Sequence, residues 1–307
     1  MQNRYKKIVL EAEEGIIFDV SEETEKELTI RALKDDMHYF ESSSIYSENY
    51  FNPPVPEGYE YVEAKWSNGY VIQRSSDGSQ FVWIPVGSLN PDGTLDGKNF
   101  TEKFGRRNFK ANKSYFEDFN EPLSDEFLKQ FESVKKYGGF YISRYNISRS
   151  SSGEPQSVKD AIPWGNVNCD DAIKISACFE RNEEVKSHLT YGAEYDSVLA
   201  WFLKTNVRSL RDIAVDSTIW GNYWNTDVPI REKTVTGYRK IWCTNNIYDF
   251  AGNVEEWTQE LYKNINPVSR GGFFMSKGDI CPVVNRIINK PNCNFHATGF
   301  RIVLDIK

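Results

Sequence analysis

The sequence predicts an α+β fold that is rich in loops, with short antiparallel strands and a few helices. Apolar runs of strand length alternate with turn residues, and few segments show helical periodicity. The large apolar side chains are mainly aromatic, with 17 Tyr, 19 Phe and 8 Trp in a chain that is 39% hydrophobic. Aromatic residues bury a large area each but need partners for their polar ends, which favours a loop-rich protein over a helical bundle.

Residues 1–52 differ in character from residues 53–307, which form the predicted main domain. We expect the first segment to be an N-terminal extension of strands and a helix, or an attachment module. The alternative is an extra layer on the main domain. Ser42–Pro56 is rich in Ser, Tyr, Asn and Pro and predicts a linker.

Within the N-terminal segment, Ile8–Leu10 and Ile16–Val20 have the composition of short strands. Ser21 is a candidate N-cap because two acidic residues follow it directly. Thr24-Glu-Lys-Glu27 offers a capping box as an alternative start, and either start predicts a helix that runs to about Lys34.

The main domain starts with three short strands, and Ser76-Asp-Gly78 marks a hairpin turn between the last two. These predicted strands are Tyr59–Ala64, Gly69–Arg74 and Gln80–Val86. An insertion follows at about residues 90–137. Its first part, Asn90–Phe119, is polar and predicts a surface segment, and Ser124–Tyr137 has helical spacing of its apolar residues.

Gly139–Tyr145 predicts a further strand with outward-facing polar residues. Two more helices are expected at Cys169–Glu180 and Gly192–Leu203, where apolar residues form a stripe. Beyond Lys204 the chain is dominated by turn residues, aromatic residues and glycine, and no regular element is predicted there.

The net charge of −7 and the pI near 5.3 argue against nucleic-acid binding, which needs a clustered basic face. The densest basic cluster, Arg106-Arg107 with Lys110 and Lys113, is short and predicts a solvated loop. The N-terminus lacks the long apolar core of a signal peptide, and no stretch is long enough to span a membrane. We therefore expect a cytoplasmic protein, or one that is associated with virions after lysis.

The C-terminal part of the sequence contains three ordered motifs: Asn246–Trp257 (NIYDFAGNVEEW), Arg270-Gly-Gly272 and Thr298–Arg301 (TGFR). They resemble the C-terminal core of the formylglycine-generating enzyme (sulfatase-modifying factor) family, whose C-type-lectin-like fold has little regular secondary structure. Further landmarks precede them in the family's order: Phe81–Val86, Gly139–Tyr145, His188–Tyr195 and Trp220–Trp224. The resemblance covers roughly Gly58 to Lys307.

The sequences of these motifs are most similar to those of uncharacterised Firmicutes and prophage members of this family. Some relatives with this fold are receptor-binding proteins that retroelements diversify. Because fold does not determine function, this association is only an expectation about origin and role.

The resemblance implies calcium at the Gly-Asn-Val loop, with Asp249, Gly252, Val254 and Glu256 as ligands. Calcium prefers six to eight hard oxygens, and two carboxylates with backbone carbonyls supply several of them. The alternative is that the carboxylates only accept hydrogen bonds from loop amides. A weaker second calcium site would fall on Asn222, Tyr223, Thr236 and Tyr238.

The family's enzymes place two cysteines after the Gly-Gly turn, where they bind copper(I). The matching positions here are Ser276 and Cys281. Copper(I) prefers thiolates to hydroxyl oxygens, so copper binding is not expected. Cys293 is the nearest other thiol in sequence, and the five cysteines show no CxxC spacing that would indicate zinc or a disulfide framework.

Sulfoxide-forming relatives use histidines to hold iron, but His38, His188 and His296 are too dispersed here to form such a cluster. The arginines Arg270, Arg286 and Arg301 are interpreted as structural residues that tie loops together by forked hydrogen bonds.

The preferred interpretation is a non-catalytic protein that recognises a protein or glycan ligand on a degenerate scaffold of this family. Aromatic and amide side chains on a rigid loop give adaptable contacts at low entropic cost. The predicted binding residues lie within 273–297: Phe273, Phe274, Ser276, Lys277, Asp279, Asn285, Asn289, Asn292, Asn294, Phe295 and His296.

Two other functions are kept open. One is a metal-dependent oxidase of the formylglycine-generating and sulfoxide-synthase superfamily that uses Cys281. The other is a structural virion or tail component that oligomerises or docks through residues 1–52.

Overall fold

The computed structural model describes residues 16–23, 28–34, 53–63, 69–86, 104–110, 116–180, 182–226 and 230–307. Contacts within the chain define two compact units. The smaller unit contains the described residues 16–23 and 28–34, and the larger one contains the described residues from 53 onward.

The described part of the smaller unit is an antiparallel hairpin of β1 (Ile16–Glu23) and β2 (Leu28–Lys34). The predicted helix from Ser21 to Lys34 is therefore wrong. Apolar and polar residues alternate from Leu28 to Ala32, which is a strand period, and pairing with β1 outweighs the local capping signal. The predicted strand Ile8–Leu10 lies outside the described residues.

Six antiparallel strands form the main sheet of the larger unit, in the order β10-β17-β7-β5-β4-β3. Their bounds are β3 Tyr59–Glu63, β4 Val71–Arg74, β5 Gln80–Pro85, β7 Gly139–Ser143, β10 Val185–Leu189 and β17 Ile302–Ile306. The predicted strands near residues 59, 71, 80 and 139 are confirmed, and Gly78 has the left-handed φ of 76° that the predicted hairpin turn needs.

Strand β7 does not expose its polar residues, contrary to the prediction. Phe140 and Ile142 pack into one hydrophobic cluster, whereas Tyr141 packs into a second cluster on the opposite face. Ser143 is fully buried as well. Because both faces of the sheet are covered, a central strand has no solvent side.

A second sheet has the order β15-β14-β13-β16, with β6 paired to β13, and it is antiparallel except for the β13–β16 pair. Its strands are β6 Phe119–Asn120, β13 Glu255–Tyr262, β14 Asn266–Arg270, β15 Arg286–Ile288 and β16 Thr298–Phe300. Two short ladders complete the strands: β8 Ser148–Arg149 with β9 Pro155–Gln156, and β11 Cys243–Thr244 with β12 Ile247–Tyr248.

The sequence did not predict β11 to β17. Strand β13 hides its alternation because Glu255, Glu256 and Glu260 are charged yet at most 5% exposed. Such residues favour solvent unless partners stabilise them. Here Glu260 pairs with Arg270 and Glu256 pairs with Arg301, whereas Glu255 accepts a hydrogen bond from the Ser269 hydroxyl.

Helices α1 (Asp125–Tyr137), α2 (Cys169–Phe179) and α3 (Gly192–Lys204) confirm the three helices predicted in the main domain. Ser124 caps α1 by accepting a hydrogen bond from Phe127 N at 3.1 Å. A short fourth helix, α4 (Leu210–Ala214), was not predicted. Turns of 3₁₀ helix cover Thr218–Trp220 and Lys240–Trp242.

The segment predicted as a surface insertion contributes to the core in its described parts. Phe104 is 2% exposed and packs with the α1 side chain Phe127, and Phe119 is fully buried. Residues 90–103 and 111–115 of this segment lie outside the described residues.

Candidate functional site

The turn that follows β14 brings together the two positions that the family's enzymes use for copper. A Cβ on Gly272 would lie 2.7 Å from both Ser276 Oγ and the Cys281 carbonyl oxygen, so only glycine permits this close approach. Ser276 Oγ accepts a hydrogen bond from Phe273 N and donates one to Phe273 O, both at 2.9 Å. Cys281 N donates to Lys277 O at 2.8 Å, which closes the turn.

The Cys281 thiol is half-buried, and burial is the main reason why its pKa is raised above the usual value. The Asn285 side chain, Lys110 and the Ser276 hydroxyl oppose this rise in pKa because they stabilise the thiolate. Cys293 packs instead against the hydrophobic cluster that contains Trp257. All five cysteines are free, so the residues at this turn offer one thiol and do not fit a copper(I) ion that needs two.

Aromatic contacts join the two ends of the predicted binding segment. Phe273 meets Phe295 edge-to-face at a centroid distance of 5.4 Å, and Phe274 meets His296 at 6.0 Å. Phe295 and His296 are themselves 4.5 Å apart. Such edge contacts favour one arrangement of the rings, so they hold residues 273 and 296 in a defined relative position.

The outer part of this turn contacts a loop that sequence reasoning did not include in the site. Trp224 N donates to Ser276 O at 2.9 Å, and Asn225 Nδ2 donates to Asp279 Oδ1 at 3.2 Å. Asn225 Oδ1 also accepts from Gly278 N at 3.1 Å. Trp224 is 39% exposed although it ends an aromatic landmark in the sequence, and that exposure is visible only in three dimensions.

Four of the predicted binding residues are structural instead: Phe274 is only 6% exposed, and the side chains of Ser276, Asn285 and Asn289 make internal hydrogen bonds. Asn289 Nδ2 donates to Ser269 Oγ at 2.9 Å and to Ile287 O at 3.1 Å, which fixes the edge of the second sheet. Asn285 Nδ2 donates to Ile280 O at 3.2 Å, and Asn285 Oδ1 accepts from Lys110. Lys277, Asp279, Asn292, Asn294 and His296 are exposed, as a binding surface requires.

A cavity of 260 Å³ opens near Cys281, lined in part by Lys110, Phe116 and Asn285. A larger cavity of 810 Å³ lies along α1 and the end of β17, and it contains none of the predicted binding residues.

The predicted calcium loop is only partly suited to a cation. Asp249 Oδ1 is buried and has no hydrogen-bond partner within the described ranges, which is the property expected of a metal ligand. Glu256 Oε1, however, accepts from Arg301 Nε at 2.8 Å and from Asn146 Nδ2 at 2.7 Å. The Gly252 carbonyl accepts from Val254 N at 2.8 Å. Because a guanidinium already neutralises Glu256, calcium at this loop would depend on Asp249 and carbonyl oxygens, and it remains a prediction.

Residues of the weaker second calcium site also make internal contacts. Thr236 Oγ1 donates to Val158 O at 2.6 Å and accepts from Ala161 N at 3.2 Å. Asn222 Nδ2 donates to Glu232 O at 2.9 Å, and the Asn222 Oδ1 atom has no partner among the described residues. Tyr223 is buried, whereas Tyr238 is 56% exposed. Across all residues that the structure describes, no group of three or more His, Cys, Asp and Glu side chains could hold a metal ion.

We predict that Asp249→Asn makes the folded protein more stable than wild type above pH 7. Burial raises the pKa of Asp249 to about 7, although the Gly237 amide and Arg301 oppose the rise. Folded Asp249 therefore keeps a proton that the unfolded chain releases from about pH 4, so wild-type stability falls as pH rises through this window. Asparagine has no such proton, tolerates the φ of 54° and can accept the Gly237 bond.

The measurement is urea unfolding of both proteins from pH 5 to 8 with EGTA present. Asp160→Asn is the matched control, because Asp160 has a similar φ of 60° but a side chain that is 69% exposed. If the difference in unfolding free energy between Asp249→Asn and wild type does not change with pH, the raised pKa of folded Asp249 is contradicted. Repeating the series with calcium tests the metal site directly.

Buried arginines tie the segments of the site together, as predicted. Arg270 and Arg286 both pair with Asp196 and Glu260, at distances of 2.5 to 3.1 Å. Arg301 joins Glu256 on β13 to the carbonyls of Ser143 and Tyr248. These contacts connect α3, β13, β14 and β15 beneath the turn at 273–281, so the turn rests on a rigid base.

The described part of the chain contains no helix that is both long and apolar enough to traverse a lipid bilayer.

Comparisons with known proteins agree with the sequence motifs. The sulfatase-modifying factor enzyme 1-like domain family matches residues 71–306. No curated protein matches the chain. Similar solved structures include PvdO from Pseudomonas aeruginosa, at 14% identity over 78% of this chain and 98% of PvdO, with a TM-score of 0.47.

Two further structures are similar over a smaller part of the chain. Treponema denticola variable protein 1 is 16% identical over 55% of this chain and 85% of its own, with a TM-score of 0.36. CarF is 17% identical over 55% of this chain and 87% of its own, with a TM-score of 0.32. The family match covers most of the chain, and the chain therefore belongs to the formylglycine-generating enzyme-like, sulfatase-modifying factor family.

Proposed function

We propose that this protein binds a ligand and lacks the family's oxidase chemistry. The observation that carries the proposal is the contact made by Ser276 at the first copper position. Its hydroxyl closes onto the Phe273 backbone, and Cys281 is left without a second thiolate. The turn brings positions 276 and 281 together, but a hydroxyl and a single thiol do not suit copper(I).

The recognition surface consists of nine exposed or half-buried side chains of the 273–296 segment. We define this 273–296 surface by the following side chains: Phe273, Met275, Lys277, Asp279, Ile280, Asn292, Asn294, Phe295 and His296. The aromatic contacts and the hydrogen bonds to Trp224 and Asn225 hold it in place. A surface that is ordered before binding loses little conformational entropy when a protein or glycan ligand binds.

The other interpretations stay predictions. An oxidase using Cys281 requires a second metal ligand beside it. A virion component would dock or oligomerise through residues 1–52, and its origin would be a prophage or a retroelement-diversified gene. The cytoplasmic or virion location and structural calcium belong to the same group of predictions.

The test is a screen of wild type on glycan and protein arrays, with and without calcium. A variant with Phe295→Ser and His296→Ala removes the aromatic contacts at one end of the surface, and we expect it to lose at least about tenfold in affinity for the wild-type ligand. Ile265→Ser is the matched control, because Ile265 is 68% exposed and lies outside the surface.

Equal binding by wild type and the aromatic variant would contradict the surface. Absence of any ligand, together with oxygen-dependent oxidation of a thiol substrate by wild type, would replace the proposed function with the oxidase.

A further inference from the structure

A groove of 600 Å³ is lined by residues of α2, of the β8–β9 hairpin and of the turn that follows β4. We call it the α2 groove; its polar side chains include Ser76, Ser152, Glu154, Gln156, Trp164 and Lys174. None of the described residues that line it belongs to the 273–296 surface or to the predicted calcium and copper positions. Its volume lies within the range of small-molecule sites, about 300–1,000 Å³.

The residues around the α2 groove are held in place by internal hydrogen bonds. Arg74 Nε donates to Asp77 Oδ1 at 3.0 Å and Arg74 Nη1 donates to Phe179 O at 2.9 Å, so the turn after β4 is tied to the end of α2. In the hairpin, Ser150 N donates to Glu154 O at 2.8 Å, and Glu154 N donates to Ser150 Oγ at 3.0 Å. A site that is ordered before binding loses little conformational entropy when a ligand binds.

Three side chains of the lining keep polar groups available for a ligand. Among the described residues, the Gln156 amide, the Trp164 indole N–H and the Glu154 carboxylate have no hydrogen-bond or ion-pair partner. Gln156 and Trp164 are half-buried, and Glu154 is exposed. An amide donates and accepts, an indole N–H only donates, and a carboxylate only accepts. This combination suits a ligand whose groups both donate and accept, as the hydroxyls of a sugar do.

The charges around the α2 groove nearly cancel. Two cations and two carboxylates line it: Arg74, Lys174, Asp77 and Glu154. Two further carboxylates and one further cation lie beside them: Asp171, Glu180 and Arg149. The sum is three positive and four negative charges, so neither sign is in enough excess to attract an ionic ligand.

The described lining lacks what a peptide backbone needs. Strand β4 is paired on both sides, by β3 and β5, and β9 consists only of Pro155 and Gln156. Proline has no N–H to donate, so a peptide finds no strand edge to extend here. The Phe179 ring offers no open apolar pocket, because the Arg74 guanidinium lies 3.6 Å from its centroid. These features favour recognition of hydroxyls over recognition of a peptide.

We propose that the α2 groove binds an uncharged oligosaccharide through the side chains of Glu154, Gln156 and Trp164. Planar amide and carboxylate groups can each contact two neighbouring hydroxyls, and the indole adds a donor beside an apolar ring. The site goes beyond the proposed function, because it lies outside the 273–296 surface. The two are neighbours in the fold, since Asn166 N donates to Phe295 O at 3.2 Å.

The first part of the test is an array of oligosaccharides probed with the full-length protein. The array carries neutral, sialylated and sulfated members built on the same backbones. Wild type is expected to bind neutral members in preference to their anionic analogues, because the groove has no excess of positive charge.

The second part is isothermal titration calorimetry with the neutral oligosaccharide that binds best on the array. Ser152→Trp places a large side chain in the lining and is expected to weaken binding by more than about tenfold. Gln156→Met keeps the side-chain volume but removes its donors and acceptor, and a loss of about fivefold is expected. Ser151→Trp is the matched control, because Ser151 is exposed like Ser152 but does not line the groove. Unchanged thermal unfolding confirms that each variant is folded.

Loss of affinity in Ser152→Trp but not in Ser151→Trp is the supporting result. An array without any bound oligosaccharide, or one on which anionic members bind more tightly than neutral ones, would overturn the inference. Equal affinity of wild type and Ser152→Trp would do the same. The variant with Phe295→Ser and His296→Ala separates the two sites: binding that it loses and Ser152→Trp keeps belongs to the 273–296 surface, which supports the proposed function and contradicts the α2 groove.

Discussion

Replacing Arg270 with methionine is expected to lower the free energy of unfolding by about 3–5 kcal/mol, because it leaves buried carboxylates without their partner. Arg270 donates to Asp196 Oδ1 at 2.6 Å and to Glu260 Oε1 at 3.1 Å, and all three side chains are fully buried. Methionine fills a similar volume but brings no charge. Arg286 would still contact both carboxylates, but one guanidinium would then face two buried charges.

The experiment is unfolding by urea, monitored through tryptophan fluorescence. Lys174→Met is the matched control: Lys174 pairs with Asp171 at 3.6 Å, but its side chain is 75% exposed, so the loss should stay below about 1 kcal/mol. A change for Arg270→Met as small as that for the control would show that the buried charges do not hold the base of the turn. If Arg270→Met does not fold, Arg270→Lys is measured instead. Lysine keeps the positive charge but cannot make the forked hydrogen bonds of a guanidinium, so a smaller loss of stability is expected.

Ser276→Cys is expected to create a copper(I) site and to tighten binding by more than about a hundredfold over wild type, since two thiolates suit this soft ion. The hydroxyl of Ser276 lies close enough to the Cys281 thiol to lower its pKa. A thiol at position 276 would therefore sit beside the existing one. Both residues follow the same glycine turn, which brings position 276 and Cys281 close together.

Anaerobic competition titration with a copper(I) chelator measures this effect. Ser276→Ala is the control for loss of the hydroxyl, and Ser276→Cys combined with Cys281→Ser tests whether both thiols are needed. Tight one-to-one binding by wild type that Cys281→Ser removes would refute the non-catalytic interpretation. No gain in Ser276→Cys would mean that the turn has lost the metal geometry as well as the ligand.

The local sequence pattern was sufficient to predict an element where the period of its apolar residues matches the residues that are buried. The strand at Gln80–Pro85 is a short apolar run next to a turn, and α1 has a serine N-cap, a glycine C-cap and a regular apolar stripe. Pattern failed for β2, where an acidic segment after a serine indicated a helix while pairing with β1 decided the structure. It failed again for β13, whose carboxylates are charged in sequence and buried in the fold.

The candidate site was predicted in part for the same reasons. The Gly-Gly turn and the positions of Ser276 and Cys281 follow from sequence order, and the structure brings them together. The contribution of Trp224 was missed, because nothing in the sequence indicates that it meets the 275–280 turn, which is remote along the chain. Asn289 was assigned to the surface because amide side chains suit binding, yet the same chemistry also suits a sheet edge.

The sequence by itself determined the family, the order of its landmarks and the replacement of one cysteine by Ser276. These are properties of residue identity and spacing, which do not depend on how distant segments meet. Tertiary structure alone decided which charges neutralise one another: Glu256 pairs with Arg301, 45 residues away, and Asp196 with Arg286, 90 residues away. It also decided which apolar residues remain in water. Both outcomes depend on desolvation, and desolvation is set by chain segments that are remote in sequence and adjacent only in the fold.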